Sequence, residues 1–66
     1  MMQRYLTQFE RVKKGALFSK NGNRWRKRSS RTAEITKPEI YAGRWFYFSQ
    51  REPVEITDLG VIENDY

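Results

Sequence analysis

The chain has 66 residues, with 13 Lys or Arg against 8 Asp or Glu, and a formal net charge of +5 at pH 7. Cysteine and histidine are absent, which excludes a disulfide framework and removes the usual ligands of structural zinc. A chain of this size is expected to form one small domain of marginal stability, with its two Trp, four Tyr and four Phe supplying most of the core.

The N-terminal segment has apolar residues at three- and four-residue intervals. They are Met2, Tyr5, Leu6, Phe9 and Val12. This spacing predicts a short N-terminal helix. The segment lacks the apolar run of a secretion signal, and no stretch approaches the roughly 20 residues that span a bilayer. These features predict a cytoplasmic protein.

A β-hairpin is predicted after Gly15. Residues 16–19 and 24–29 are strand-like, and Asn21-Gly22 lies between them. Asn-Gly is a strong hairpin signal because both residues tolerate the positive φ of a type I′ turn.

The second half of the chain predicts three further strands. Residues 31–35 form the first, which Pro38 ends because proline has no N–H for a ladder. Residues 44–49, with four consecutive rings, and residues 54–57 form the others. The polar residues 63–66 are expected to fray.

Short strands separated by regular turn signals predict a mainly β fold. We expect a small partly closed barrel or a bent meander of about five short strands. Closure is favoured because an open sheet of this size leaves long unpaired edges. The single domain covers residues 1–66, with an ordered core over about 5–59 and an acidic C-terminal tail at 60–66.

Charge is divided unevenly along the chain. Nine basic and no acidic side chains lie between residues 11 and 31, whereas the last fifteen residues carry five acidic and no basic ones. The basic residues are Arg11, Lys13, Lys14, Lys20, Arg24, Arg26, Lys27, Arg28 and Arg31. Such a basic segment selects a polyanionic partner, either nucleic acid or an acidic protein.

The two-residue period of a strand assigns faces within residues 24–28. Trp25 and Lys27 point one way, and Arg24, Arg26 and Arg28 (the arginine row) point the other. Three arginines on one face cannot be core, so Trp25 is predicted to be buried and the arginine row to face solvent. Lys27 is expected to lay its stem over the core rim and hold its ammonium in water.

The same period separates the rings of residues 45–48. Phe46 and Phe48 are predicted to fill the core, because phenylalanine has no polar tip, which leaves Trp45 and Tyr47 outside. Exposed rings beside arginines are typical of single-stranded nucleic-acid binders, in which rings stack on bases and guanidinium groups contact phosphates. The candidate binding residues are Lys20, Arg24, Arg26, Arg28, Arg31, Trp45 and Tyr47.

Simpler interpretations stay open for each of these groups. The arginine row is also explained by a solvated edge strand whose charges prevent aggregation between strands. Trp45 and Tyr47 also suit packing under the N-terminal helix or the C-terminal tail. The acidic tail also suits neutralisation of the basic surface within the domain.

Catalysis has little support in the sequence. Without His or Cys a general base must be Asp, Glu or Lys, and the acids cluster in the tail rather than pairing around a pocket. We therefore expect a protein that is not an enzyme and has no cofactor or metal.

A loose motif of rings, glycines and small residues covers about residues 9–56. Its elements are Phe9, Gly15, Phe18, Gly22, Trp25, Lys27, Ala33, Trp45 to Phe48 and Val54. In these positions the chain resembles short proteins encoded by tailed bacteriophages and prophages, mostly of unassigned function. The resemblance implies a phage origin, a compact β fold and a location in the host cytoplasm.

A phage origin raises an alternative function. The protein would bind an acidic host protein and inhibit or redirect it, since a basic hairpin complements an acidic surface. A small sheet can also pair its edge with a second copy, so a homodimer remains an alternative to a monomer.

Overall fold

The computed structural model describes residues 3–63, which form a mainly β fold of six antiparallel strands in one sheet. The strands are β1 (Tyr5–Gln8), β2 (Leu17–Lys20), β3 (Asn23–Lys27), β4 (Thr32–Lys37), β5 (Trp45–Tyr47) and β6 (Pro53–Ile56). Short 3-10 turns occupy Phe9–Arg11, Glu39–Tyr41 and Leu59–Val61. The sheet order is β1-β6-β2-β3-β4-β5, which confirms the predicted fold class.

The predicted hairpin joins β2 and β3. Asn21 and Gly22 have φ of +53° and +78°, the positive values that a type I′ turn needs at both central positions. Lys20 pairs with Asn23 next to the turn, and Phe18 pairs with Trp25 further along. The turn therefore fixes the register that places these two rings on the same face.

The remaining strands begin and end near the predicted turns and strand breaks. The Ser29 hydroxyl accepts the backbone N–H of Thr32 at 3.0 Å and turns the chain into β4. β4 ends at Lys37, immediately before Pro38. Gly43, with φ of +92°, turns the chain into β5.

The N-terminal helix that the spacing predicts is wrong. The chain instead forms β1, whose four residues pair with β6, as in Tyr5 with Ile56. Tyr5 and Thr7 are half-buried, whereas Leu6 is 75% exposed. Pairing with the edge of β6 gives the backbone of β1 hydrogen-bond partners along its length, whereas an isolated helix of this length is marginally stable in water; Met2 lies outside the described residues.

The sheet is open, contrary to the expected closure. β6 pairs with β1 at four positions and with β2 only at the pair Ser19 and Glu55. The outermost strands are β1 and β5. Each therefore keeps one unpaired edge within the part of the chain described.

The core lies on one face of this sheet, called here the inner face, and is built mainly from rings. Phe9 stacks on Phe48 at 4.7 Å between centroids, and Trp25 meets Phe48 edge-on at 4.9 Å. The buried apolar residues are Phe9, Val12, Phe18, Trp25, Ala33, Ile35, Phe48, Val54 and Ile56. Phe46, predicted to fill the core, contacts Trp25 but is 48% exposed, because β5 is an edge strand and nothing described lies beyond it.

Candidate nucleic-acid interface

β3 presents two different faces, as its alternation predicts. Trp25 and Lys27 are 6% and 4% exposed on the inner face. Arg24 and Arg26 are exposed on the opposite side, called here the outer face. The predicted orientation of the arginine row toward solvent is confirmed.

Arg24 and Arg26 lie in the middle of the outer face. Arg24 is opposite Ser19 of β2, and Arg26 lies between Leu17 and Glu34 in the ladder. The Arg26 guanidinium donates to the carbonyl of Gly15 at 3.1 Å. Among the ion pairs of residues 3–63, none involves Arg24 or Arg26, so both cations remain available to an anionic ligand.

Arg28, the third member of the row, has a partner. Its guanidinium lies 2.7 Å from the Glu34 carboxylate, and both side chains are partly exposed. An ion pair of this kind is worth about 0–1 kcal/mol and is screened by salt. The carboxylate therefore reduces the local positive potential without removing the cation from the surface.

The two flanking candidates differ in their placement. Lys20 lies on the inner-face side, where its ammonium contacts Glu52 and the carbonyl of Pro53, both at 2.8 Å. The structure therefore does not bring Lys20 together with the arginine row. Arg31 is exposed at the bend before β4 and forms no ion pair within the described residues.

Trp45 and Tyr47 are exposed on the outer face, as predicted. They are 57% and 76% exposed, and their ring centroids lie 5.4 Å apart at 78°. In the ladder, Trp45 pairs with Glu34 and Tyr47 with Thr32, two residues on the same face as the arginine row. Within residues 3–63 there is no N-terminal helix to cover them, so the alternative of packing beneath one is excluded.

An open groove of about 440 Å³ joins the two rings to Arg28, one member of the arginine row. Its lining consists of Arg28, Thr32, Glu34, Gly43, Trp45 and Tyr47. Such a groove offers ring faces for stacking and a guanidinium for a phosphate. The Glu34 carboxylate is the group in it that opposes an anion.

Two acidic residues of the last fifteen pair with cations outside the arginine row. Glu52 contacts Lys20, and Glu55 lies 3.6 Å from Arg4. Asp58 accepts the N–H of Gly60 at 2.8 Å. Among residues 3–63, Glu63 of the tail forms no ion pair with the arginine row, and neither do Glu52, Glu55 and Asp58; Asp65 lies outside the described residues.

Lys27 departs from its sequence prediction. Its ammonium is buried and donates to the carbonyls of Phe9 at 2.9 Å and Val12 at 2.7 Å, with Glu10 O at 3.4 Å. It also lies 4.5 Å from the Phe9 ring centroid. The period of two placed Lys27 on the inner face correctly, but no local signal showed that a turn distant in sequence would bring carbonyls to it.

Burial lowers the pKa of Lys27 below its ordinary value of 10.5. Glu63 and Glu10 act in the opposite direction, and Lys14 acts with burial. The side chain thus connects β3 to the turn Phe9–Arg11, which is a structural role on the face away from the candidate interface.

Among residues 3–63 there is no cluster of three or more Asp or Glu side chains suited to a metal ion. No helix in this range has the length and hydropathy needed to cross a membrane.

Comparison with known proteins gives no match to a family model, a curated protein or a solved structure.

Proposed function

We propose that the outer face binds single-stranded nucleic acid without catalysing a reaction. The observation that carries the proposal is the exposure of Trp45 and Tyr47 on the same sheet face as Arg24 and Arg26. Large rings left outside a small domain with an otherwise ring-built core are typical of a binding surface.

The arrangement across the strands suits a nucleic-acid strand. Neighbouring strands lie about 4.8 Å apart, so Arg26 on β3 and Trp45 on β5 are separated by roughly 10 Å across the intervening Glu34. A strand crossing the sheet can place a base on the rings and a phosphate near the arginines. Every base has a π face, so this mode does not require sequence readout.

The cations predict a measurable salt dependence. Arg24, Arg26 and Arg31 have no carboxylate partner within the described residues. Each phosphate neutralised on a single strand contributes about −0.7 to the slope of log K against log salt. Three contacts give a slope of about −2.

The direct test replaces the arginine row. We expect Arg24→Ser, Arg26→Ser and Arg28→Ser together to abolish retardation of an oligothymidylate of about 12 nucleotides at low salt. Circular dichroism should show an unchanged fold, because the row lies outside the core. Unchanged retardation would remove the proposal.

A matched control separates this face from net charge. Arg11, Lys13 and Arg51 are exposed and lie outside the six strands, so replacing all three with Ser removes the same charge elsewhere. The control should retain most of the binding. Equal loss in both triple variants would indicate non-specific attraction to a basic protein.

Ring stacking has an independent readout. In a Trp25→Phe background, Trp45 is the remaining tryptophan, and its fluorescence should be quenched by the oligonucleotide. An acidic protein, the alternative partner, would use the arginines without a base on the ring. Retention of such a partner after nuclease treatment, without quenching by oligonucleotides, would favour that alternative.

A further inference from the structure

β5 has one edge bonded to β4 and one edge open. The Ile35 N–H donates to the carbonyl of Arg44, and the Phe48 N–H donates to that of Arg31, both at 2.7 Å. Hydrogen-bonded and non-bonded positions alternate in an antiparallel ladder. Arg44 is bonded to β4 and Phe48 to Arg31, which directly precedes β4, and bonded positions recur at every second residue. Phe46, which lies two residues from each of them, therefore also directs its backbone N–H and C=O toward β4.

The same alternation turns the other two residues of β5 outward. The N–H and C=O groups of Trp45 and Tyr47 point to the open edge, where no described strand lies. Within residues 3–63, no turn or loop forms a backbone hydrogen bond with Trp45 or Tyr47. Four unpaired backbone groups on one short strand form a template for another strand.

The side chains around this edge are apolar on both faces. Trp45 and Tyr47 flank it on the outer face, and Phe46, 48% exposed, lies on the inner face. Edge strands that stay monomeric usually carry charge or proline, and β5 carries neither. Exposed Tyr, Trp and Phe are the residues enriched at protein interfaces.

We propose that β5 pairs antiparallel with β5 of a second copy, around a two-fold axis through Phe46. Trp45 of each protomer then faces Tyr47 of the other. Because these residues present their outward N–H and C=O groups in register, the pairing forms four backbone hydrogen bonds. The same segment is complementary to itself, as an isologous interface requires.

The exposed ring area indicates a weak dimer. At about 150–250 Å² per ring, the exposed fractions of the three residues amount to roughly 350 Å² in each protomer. Two protomers together can therefore bury at most roughly 700 Å² of ring surface, which is below the about 1,200 Å² of specific complexes and corresponds to a weak, reversible interface. We expect a dissociation constant of about 0.1–1 mM.

The dimer would extend the candidate interface, a consequence that rests on the proposed function. Two copies would place four outer-face rings together, with an arginine row on each side. Dimerisation itself is measured without nucleic acid, so its failure and that of the proposed function are distinguishable.

Sedimentation equilibrium of the full chain, up to about 1 mM, tests the dimer. Mass should rise from monomer to dimer with concentration. Since the protomers carry a net charge of +5, raising NaCl from about 50 to about 500 mM should strengthen association, opposite to its effect on nucleic-acid binding. A monomer at every concentration overturns the proposal.

Two variants locate the interface. Phe46→Arg opposes two guanidinium groups at the axis and should raise the dissociation constant at least about tenfold. Tyr47→Pro removes an outward N–H that β4 does not use and should also give a monomer. Leu6→Ser alters the other edge strand, where Leu6 is 75% exposed, and should leave the dimer unchanged. If Leu6→Ser lost the dimer while Phe46→Arg and Tyr47→Pro kept it, pairing through β5 would be overturned.

Discussion

The two tryptophans show how differently one sheet uses the same side chain. Trp25 is 6% exposed, packs on Phe18 and Phe48, and donates its indole N–H to the Lys20 carbonyl. Trp45 is 57% exposed and contacts Tyr47. Both follow an arginine in sequence. Strand face and position in the sheet, rather than local composition, therefore decide whether a ring stabilises the fold or remains available to a ligand.

The cations of β3 divide in the same way. Lys27 is 4% exposed and holds the carbonyls of Phe9 and Val12, whereas its neighbour Arg26 is exposed on the outer face. Substitutions on the inner face should therefore change stability, and those on the outer face should change binding.

The largest expected effect distinguishes the two tryptophans. Trp25→Ala should destabilise the domain by about 3–5 kcal/mol, because it leaves a cavity among the core rings. A chain of this size has little more stability than that. Trp45→Ala should change the free energy of unfolding by about 0.5 kcal/mol or less. Urea denaturation followed by circular dichroism measures both, and equal losses would contradict the division between faces.

The next effect compares the two cations. Lys27→Met should destabilise by about 2 kcal/mol, because the carbonyls of Phe9 and Val12 lose a buried donor. Arg26→Met should stay within about 0.5 kcal/mol. Thermal unfolding of the two variants checks this. A Lys27→Met protein as stable as the parent would mean that methionine packing offsets the lost hydrogen bonds.

A smaller effect sharpens the account of the outer face. Glu34→Gln releases Arg28 from its 2.7 Å ion pair and should increase oligonucleotide affinity about twofold to fivefold, the range of a surface ion pair. Glu39→Gln is the matched control, since Glu39 lies 3.9 Å from Lys37 and outside the groove. Fluorescence anisotropy at low salt measures the difference. Weaker binding by Glu34→Gln would show that the ion pair positions Arg28.

The smallest effect is a pH dependence from Lys27. Because the folded-state pKa is lowered below 10.5, the unfolded state binds more protons between the two values. The free energy of unfolding therefore rises with pH in that window, and this contribution is lost as pH falls through the lowered pKa. The stability difference between the parent and Lys27→Met should widen as pH approaches 10.5. A stability difference that narrows with pH would show that the three carbonyls raise the pKa of Lys27 instead.

Much of the sheet could be predicted from local pattern. The period of two assigned Trp25, Arg24 and Arg26 to their faces, and Asn21-Gly22 located the hairpin. These features depend on neighbouring residues. The same reasoning placed Trp45 and Tyr47 outside.

The sequence predictions were wrong where contacts with distant segments determine secondary structure or burial. The spacing of Tyr5, Leu6 and Phe9 is compatible with a helix, but pairing with β6 selects a strand. Phe46 is half-exposed because nothing described lies beyond β5, and Lys27 is buried because the Phe9–Arg11 turn returns over it. No local pattern contains these contacts.

The insertion of β6 between β1 and β2 also constrains the order of assembly. β1 pairs only with β6 in the described sheet, across a separation of most of the chain, as in Tyr5 with Ile56. The β2–β3–β4 ribbon depends on pairing between strands that are neighbours in sequence, whereas β1 depends on β6 at the other end of the sheet-forming segment. Closing so long a loop is slow relative to forming local hairpins, so docking of the amino-terminal strand is expected to be the last step of folding.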